Sequence, residues 1–144
     1  MSEANNQNYS NMAKKTISKL KKELDTIFSK YIRLRYSSSE RAVCFTCGKT
    51  DHWKKMQAGH FMSRRHTNTR WDENNVQVQC VRCNMFNQGE QYKFGKLLDV
   101  RIGDRTSEYL EWKSKQILKL NRVDYEEMIA KYKEKVKKLT TLCE

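Results

Sequence analysis

Between residues 12 and 36, apolar side chains recur at Ile17, Leu20, Leu24, Ile27, Phe28, Tyr31 and Ile32. Steps of three and four place them on one face of a helix. Lys14, Lys15, Lys19, Lys21 and Lys22 lie on its polar side, and Ser37, Ser38 and Ser39 break it. The pattern then changes. Val76 and Val78 alternate with Gln77 and Gln79, the period of a half-buried strand. Helical spacing returns over 90–102 through Tyr92, Phe94, Leu97 and Leu98, ending near Gly103, and again over 107–120 through Leu110, Ile117 and Leu120. The last helix is the clearest. Asp124 and Glu127 resemble a capping box at its start, and Tyr125, Met128, Ile129, Tyr132, Val136 and Leu139 form its stripe. Lys131, Lys133, Lys135, Lys137 and Lys138 surround that stripe and read as a solvated face rather than a ridge for a ligand.

Composition sharpens this outline. The chain has 144 residues, a length that favours one domain, with no proline and five glycines, so little interrupts its helices. A hydrophobic content of 38% and a mean hydropathy of -0.93 describe a polar protein. No apolar run approaches the roughly 20 residues of a membrane span. Residues 1–11 lack the apolar stretch of a secretory signal and read as a disordered lead-in. Lys and Arg number 29 against 17 Asp and Glu, a formal net charge of +12. Mixed helix surfaces achieve solubility without such an excess, so the balance points to a polyanion, with nucleic acid first.

Five cysteines without an export signal argue for metal rather than disulfides. Cys44-Phe-Thr-Cys47 and Cys80-Val-Arg-Cys83 are two CxxC pairs, each able to turn two thiolates towards one Zn²⁺ ion. Four thiolates close the tetrahedron and leave no position for substrate, so this zinc is expected to stabilise, not to catalyse. A redox motif would leave the second pair unexplained. Cys143 is assigned no role.

The 32 residues between Cys47 and Cys80 are too many for a minimal zinc ribbon. They hold His52, His60 and His66, together with Arg64, Arg65, Arg70, Trp53 and Trp71; Arg82 follows inside the second knuckle. Cations interleaved with aromatics suit a phosphate backbone and exposed bases. Asn84 follows the second knuckle directly, and Asn87 and Gln88 follow at helical spacings. A neutral imidazole can take a proton from water near pH 7, and amide oxygens can hold Mg²⁺ or Mn²⁺. Any one of these histidines alone is more often structural; His60 stands out because Gln-Ala-Gly-His-Phe lies between two knuckles with an asparagine after the second.

Cys44-Cys47, His60, Asn75, Cys80-Cys83 and Asn84 together resemble the zinc-bearing HNH (ββα-metal) nucleases. More narrowly, Gln57–Phe61 followed by Arg70–Asn84 is similar to the lambdoid phage NinG (Rap) recombination endonucleases, over about residues 40–100. Endonuclease VII, another phage junction resolvase, has a similar knuckle-His-knuckle-Asn order. The resemblance implies an α+β, mostly helical fold. A zinc-bound HNH core over 40–103 would be flanked by an N-terminal helix over 12–39 and C-terminal helices over 104–144. The first hairpin strand would span 56–62 and the second 75–79, with a helix starting near Cys83.

The resemblance also implies roles. His60 would be the general base, Asn84 a ligand of a catalytic Mg²⁺ or Mn²⁺, and Asn75 the residue that ties the hairpin and orients His60. Arg64, Arg65, Arg70, Arg82 and Lys93 would meet DNA. Where many HNH enzymes carry Asp or His before the catalytic histidine, this chain has Gly59. Gln57, two residues earlier on the same side of a strand, is the substitute candidate, with Asn87 or Gln88 as further options; water and the scissile phosphate are the alternative ligands. The implied activity is hydrolysis of phosphodiesters in branched DNA, in the cytoplasm of a phage-infected cell. Against it stand a non-catalytic zinc module that binds nucleic acid and a sequence-specific HNH nuclease. Two cuts per junction would suit a symmetric homodimer, although either terminal helix could equally pack on its own domain.

Overall fold

A computed structural model describes residues 14–142; the lead-in and Cys143 lie outside them. A long helix α1 (Ile17–Leu34) is followed by two short antiparallel hairpins. The first pairs β1 (Arg41–Val43) with β2 (Thr50–His52), and the second pairs β3 (Gln57–His60) with β4 (Val76–Gln79). A single turn of helix, α2 (Thr67–Arg70), sits in the connection between β3 and β4. Three helices follow: α3 (Gln91–Arg101), α4 (Thr106–Ser114) and α5 (Arg122–Leu142). The chain is thus mixed helix and sheet. No helix is long and apolar enough to cross a membrane among these residues.

The amphipathic stripes of α1 and α5 bury each other. Leu20, Leu24, Phe28 and Ile32 join Tyr125, Ile129 and Tyr132 in one core, together with Trp71 and Val76 from the second hairpin. Apolar faces that could have paired between two chains are therefore consumed within one. Glu73 locks the same junction: Tyr31, Tyr132 and Lys135 all donate to its carboxylate, at 2.8, 3.1 and 2.9 Å. A second core forms under the knuckles from Ala42, Met56 and Val78 with the cysteines, and a third from Phe94, Leu98 and Leu110.

Several sequence expectations change here. The helix expected over 12–36 begins at Ile17, where Thr16 caps it by accepting from Lys19 N–H. The strand β4 is buried on both faces rather than one: Gln77 and Gln79 are as enclosed as the valines beside them. Val76 packs under α1 and Val78 joins the core beneath the knuckles, while the glutamines meet a second polar layer. Gln77 accepts from Arg35 and Arg101, and Gln79 donates to Thr46 Oγ1 and to the Gly89 carbonyl. Tyr92 and Ile117, expected in the core, are exposed. α4 stops at Ser114, and residues 117–121 run irregularly towards α5. The start signal of α5 lies three residues earlier than Asp124. Asn121 and Asp124 exchange side-chain-to-backbone hydrogen bonds at 2.9 and 2.8 Å, so Asp124 closes the box instead of opening it.

The helix expected from Cys83 is also broken. Residues Arg82–Phe86 make one wide turn, closed by Asn87 N–H donating to the Arg82 carbonyl. Gln88, Gly89 and Glu90 then all take left-handed backbone angles, φ 54°, 79° and 51°, before α3 begins. An uninterrupted α-helix excludes three such residues in succession.

Candidate functional site

The two CxxC turns face each other across β1 and the end of β4. All four cysteine Sγ atoms lie within 4.8 Å of one another, and those of Cys47 and Cys80 are 3.7 Å apart. A tetrahedron with Zn–S bonds near 2.3 Å sets sulfurs about 3.8 Å apart, so the cluster fits a zinc ion. The thiols are free, and Cys44, Cys80 and Cys83 are buried. Burial works against ionisation of Cys44, yet hydrogen bonds from the Cys80 backbone and the Thr46 hydroxyl bring it down to about 6. Burial pushes Cys83 up to about 12. Four thiolates so enclosed need a cation to coexist. Among the described residues, this is the one grouping of three or more Cys, His, Asp or Glu close enough to hold a metal.

The second hairpin carries the other chemistry. A cleft of about 470 Å³ opens between α1 and β3, lined on the hairpin side by Gln57, His60 and Asn84 and on the helix side by Asp25, Ser29 and Arg33. His60 and Asn84 also line an adjoining hollow with Gln88 and Gln91, whereas Asn87 borders neither. His60 Nε2 lies 2.9 Å from the backbone carbonyl of Arg70. A carbonyl only accepts, so Nε2 carries the proton in the neutral ring and Nδ1 keeps the lone pair. Burial lowers the His60 pKa below its ordinary 6.5, with the Arg64 charge acting the same way; the Arg70 carbonyl and Asp25 oppose it less strongly.

Asn75 is fully buried and bridges the hairpin connection. Its Nδ2 donates to the carbonyls of Met62 and Thr69, and its Oδ1 accepts from Met62 N–H at 2.8 Å. It thereby fixes both the end of β3, next to His60, and α2, which ends in Arg70. Asn84 Nδ2 donates to Gln57 Oε1 at 2.7 Å, bringing the two carboxamides together at the cleft. The absence of a side chain at position 59 has a packing cause. A Cβ there would collide with the carboxamide of Gln79, which occupies the space beneath the strand. A ligand cannot stand before His60 unless Gln79 is moved.

The basic residues divide. Arg65, Arg82 and Lys93 are exposed. Arg64 is largely exposed but touches Asp25 Oδ2 at 2.6 Å. Arg70 is not free for DNA: both its Nε and its Nη2 bind Asp25, and its side chain is one-fifth exposed. The guanidinium expected at a phosphate instead anchors the carbonyl that holds His60.

Two residues of this site come from α1 and escaped the sequence reading. Asp25 accepts from Arg64, from Arg70 and from Trp71 Nε1. Arg33 lines the same cleft and stacks on Trp53 with its guanidinium 5.1 Å from the ring centre. It has no carboxylate partner among the described residues, and burial lowers its pKa. Three guanidiniums thus face one carboxylate around the cleft, which favours an anionic ligand. A signal existed: Asp25, Ser29 and Arg33 fall at steps of four, a polar line beside the apolar stripe on an otherwise lysine-rich face. Burial opposes the ionisation of Asp25, but its hydrogen bonds to Arg70 and the charges of both arginines hold its pKa below 3.8. A depressed carboxylate pKa contributes stability above the unfolded value, and this is lost as pH falls through the folded one. Asp25→Asn is expected to lower unfolding free energy by about 3 kcal/mol at pH 7, because it leaves Arg70 half-buried beside a neutral amide. Urea melts read this directly, and an unchanged midpoint would mean that the clamp carries no stability.

A family model described as the bacteriophage lambda NinG protein matches residues 2–142. No curated protein and no solved structure matches the chain. The family match spans both knuckles, the cleft and the helices on either side, and the chain therefore belongs to the bacteriophage lambda NinG family.

Proposed function

We propose that the chain is a metal-dependent endonuclease that hydrolyses phosphodiesters in branched DNA recombination intermediates, such as four-way junctions, within a phage-infected cell. The observation that carries this reading is the setting of His60. Its Nε2 is committed to the Arg70 carbonyl, it lines a cationic cleft, and Asn84 lines that cleft with it. A neutral imidazole fixed through one nitrogen offers the other as a base. In the proposed reaction, Nδ1 takes a proton from water as the water oxygen attacks phosphorus. The P–O3′ bond breaks, the departing oxygen is protonated from solvent, and 5′-phosphate and 3′-hydroxyl ends remain. Arg33 and Arg64 bind and orient the phosphate, and Asn75 and Arg70 hold the ring.

The oxygen donors at hand for Mg²⁺ or Mn²⁺ are Asn84 and Gln57. Both are neutral, and Asp25 is occupied by two guanidiniums and an indole. This set fits a hard cation as part of a shell completed by water and a substrate phosphate oxygen. When bound, the ion would offset the negative charge that grows on the phosphate oxygens during attack. The zinc cluster serves the reaction by joining the two ends of the hairpin insert.

The sparse oxygen set favours a second reading, a zinc module that binds DNA without cutting it. Incubating a synthetic four-way junction with the protein in Mg²⁺ or Mn²⁺, and separately in EDTA, decides between them. Nicking that depends on the metal supports the nuclease; tight binding with no nicks in either metal supports the module. Equal cutting of linear duplex would point to a sequence-reading nuclease instead. The reading also specifies a pH dependence. Because burial depresses the His60 pKa, its base form is populated throughout the neutral range. The single-turnover rate is expected to rise with pH through a value below 6.5 and then level off. An acid limb centred above 7 would contradict the assignment of His60.

A further inference from the structure

Phe86 and Met85 stand immediately after Asn84 and are 77% and 62% exposed, and Tyr92, at the start of α3, is 78% exposed. Single exposed apolar residues are ordinary, but three large ones within eight positions beside a cationic cleft are not. Met85 is fixed to the cleft rim, since its sulfur accepts from Gln57 Nε2 at 3.4 Å. The backbone holds this segment at a cost. The wide turn over Arg82–Phe86 is followed by three left-handed residues, two of them with side chains, and Gly89 is pinned by Gln79. Without that break the turn would run on into α3. The surroundings are basic: Arg82, Lys93 and Lys96 are exposed, and Lys96 Nζ lies 4.4 Å from the centre of the Tyr92 ring.

A partner for this surface must be polyanionic and must also present flat apolar faces. A continuous duplex hides its base faces in the stack, whereas a branch point exposes them. We propose that Phe86, next to Met85 in the chain, stacks on an unstacked nucleobase at the branch point of DNA, so that this rim selects branched over linear substrate. The inference rests on the nuclease reading only for where the DNA lies; the selection itself requires no chemistry.

The test is competition binding in EDTA, with a four-way junction and a linear duplex of the same sequence. Wild type is expected to favour the junction. Phe86→Ala is expected to weaken junction binding about fivefold or more while leaving duplex binding unchanged, because one base stacked on an aromatic ring contributes roughly 1–3 kcal/mol. Phe86→Trp is expected to restore the preference. Phe86 is exposed, so its variants should melt like wild type, and the melt is run alongside. Equal loss on both DNAs, no loss on either, or no junction preference in wild type would each overturn the proposal. It would also fail if wild type eluted as a dimer and Phe86→Ala as a monomer, since the patch would then face a second copy. Junction selection by a protein that never nicks in Mg²⁺ or Mn²⁺ would sink the nuclease reading and leave this one standing.

Discussion

Cys80→Ser is expected to abolish cooperative folding of the knuckle and hairpin region. Cys80 is buried, its sulfur lies 3.7 Å from that of Cys47, and it follows directly from β4, the strand that pairs with His60's own. A serine leaves three thiolates and a hydroxyl where four sulfurs matched a tetrahedral zinc shell. Structural zinc contributes on the order of 10 kcal/mol to folding of small domains, as much as the whole stability of many of them. Little else holds the knuckles themselves: β1 and β2 have three residues each, and the apolar core beneath the knuckles consists mainly of Ala42, Met56 and Val78. The check is zinc content and a thermal melt together. Wild type should carry one zinc per chain and lose its transition when a strong chelator removes the metal. Cys80→Ser should carry little zinc and show no sharp transition, and a wild-type melt would contradict the structural role of the cluster.

His60→Ala should do the opposite: leave the fold and remove the proposed nuclease activity. The substitution deletes one hydrogen bond, to the Arg70 carbonyl, at a cost of about 1 kcal/mol. Neither strand of the hairpin depends on the ring, and Asn75 continues to hold the loop through three hydrogen bonds of its own. Without the imidazole, water must be deprotonated by solvent alone, and general-base catalysis is typically a factor of 10²–10⁴. Single-turnover nicking of a four-way junction in Mg²⁺ should therefore fall by about a thousandfold, while junction binding in EDTA stays within about twofold of wild type. Undiminished nicking by His60→Ala would remove this residue from the reaction.

How much of this was legible in the residues alone follows the range of the interactions. The four-cysteine cluster was legible because each CxxC pair is a local turn whose spacing already suits metal geometry. The stripes of α1 and α5 were legible because helical period is local too. His60, Asn75 and Asn84 came from their order relative to the knuckles, and the structure brings His60 and Asn84 to one cleft with Asn75 behind them. Asp25 and Arg33 showed in the sequence only as part of a polar line on α1; what they meet was not legible, because they join the site only when α1 docks across β3, some thirty residues away in the chain. The same cause hid the burial of Gln77 and Gln79. Alternation of valine and glutamine looks half-buried until a second layer, bearing Arg35, Arg101 and Thr46, covers the polar side. Ile117 lies beyond the end of α4, where the backbone no longer keeps the helical period, whereas Tyr92 lies in the first turn of α3 with its side chain turned to solvent. Gln57 was chosen for its side of the strand, and it does meet Asn84; the reason for Gly59 lay on the opposite strand, in Gln79.

The proposed nuclease chemistry requires His60 and Asn84 to act on one phosphate together with a divalent ion. Diffraction at the manganese edge, from crystals of the protein with junction DNA and Mn²⁺, tests it most directly. One manganese peak is expected against the Asn84 carboxamide oxygen and a phosphate oxygen, with the His60 ring facing that same phosphate. DNA seated in the cleft with no manganese there, or a peak whose phosphate lies out of reach of His60, would contradict it.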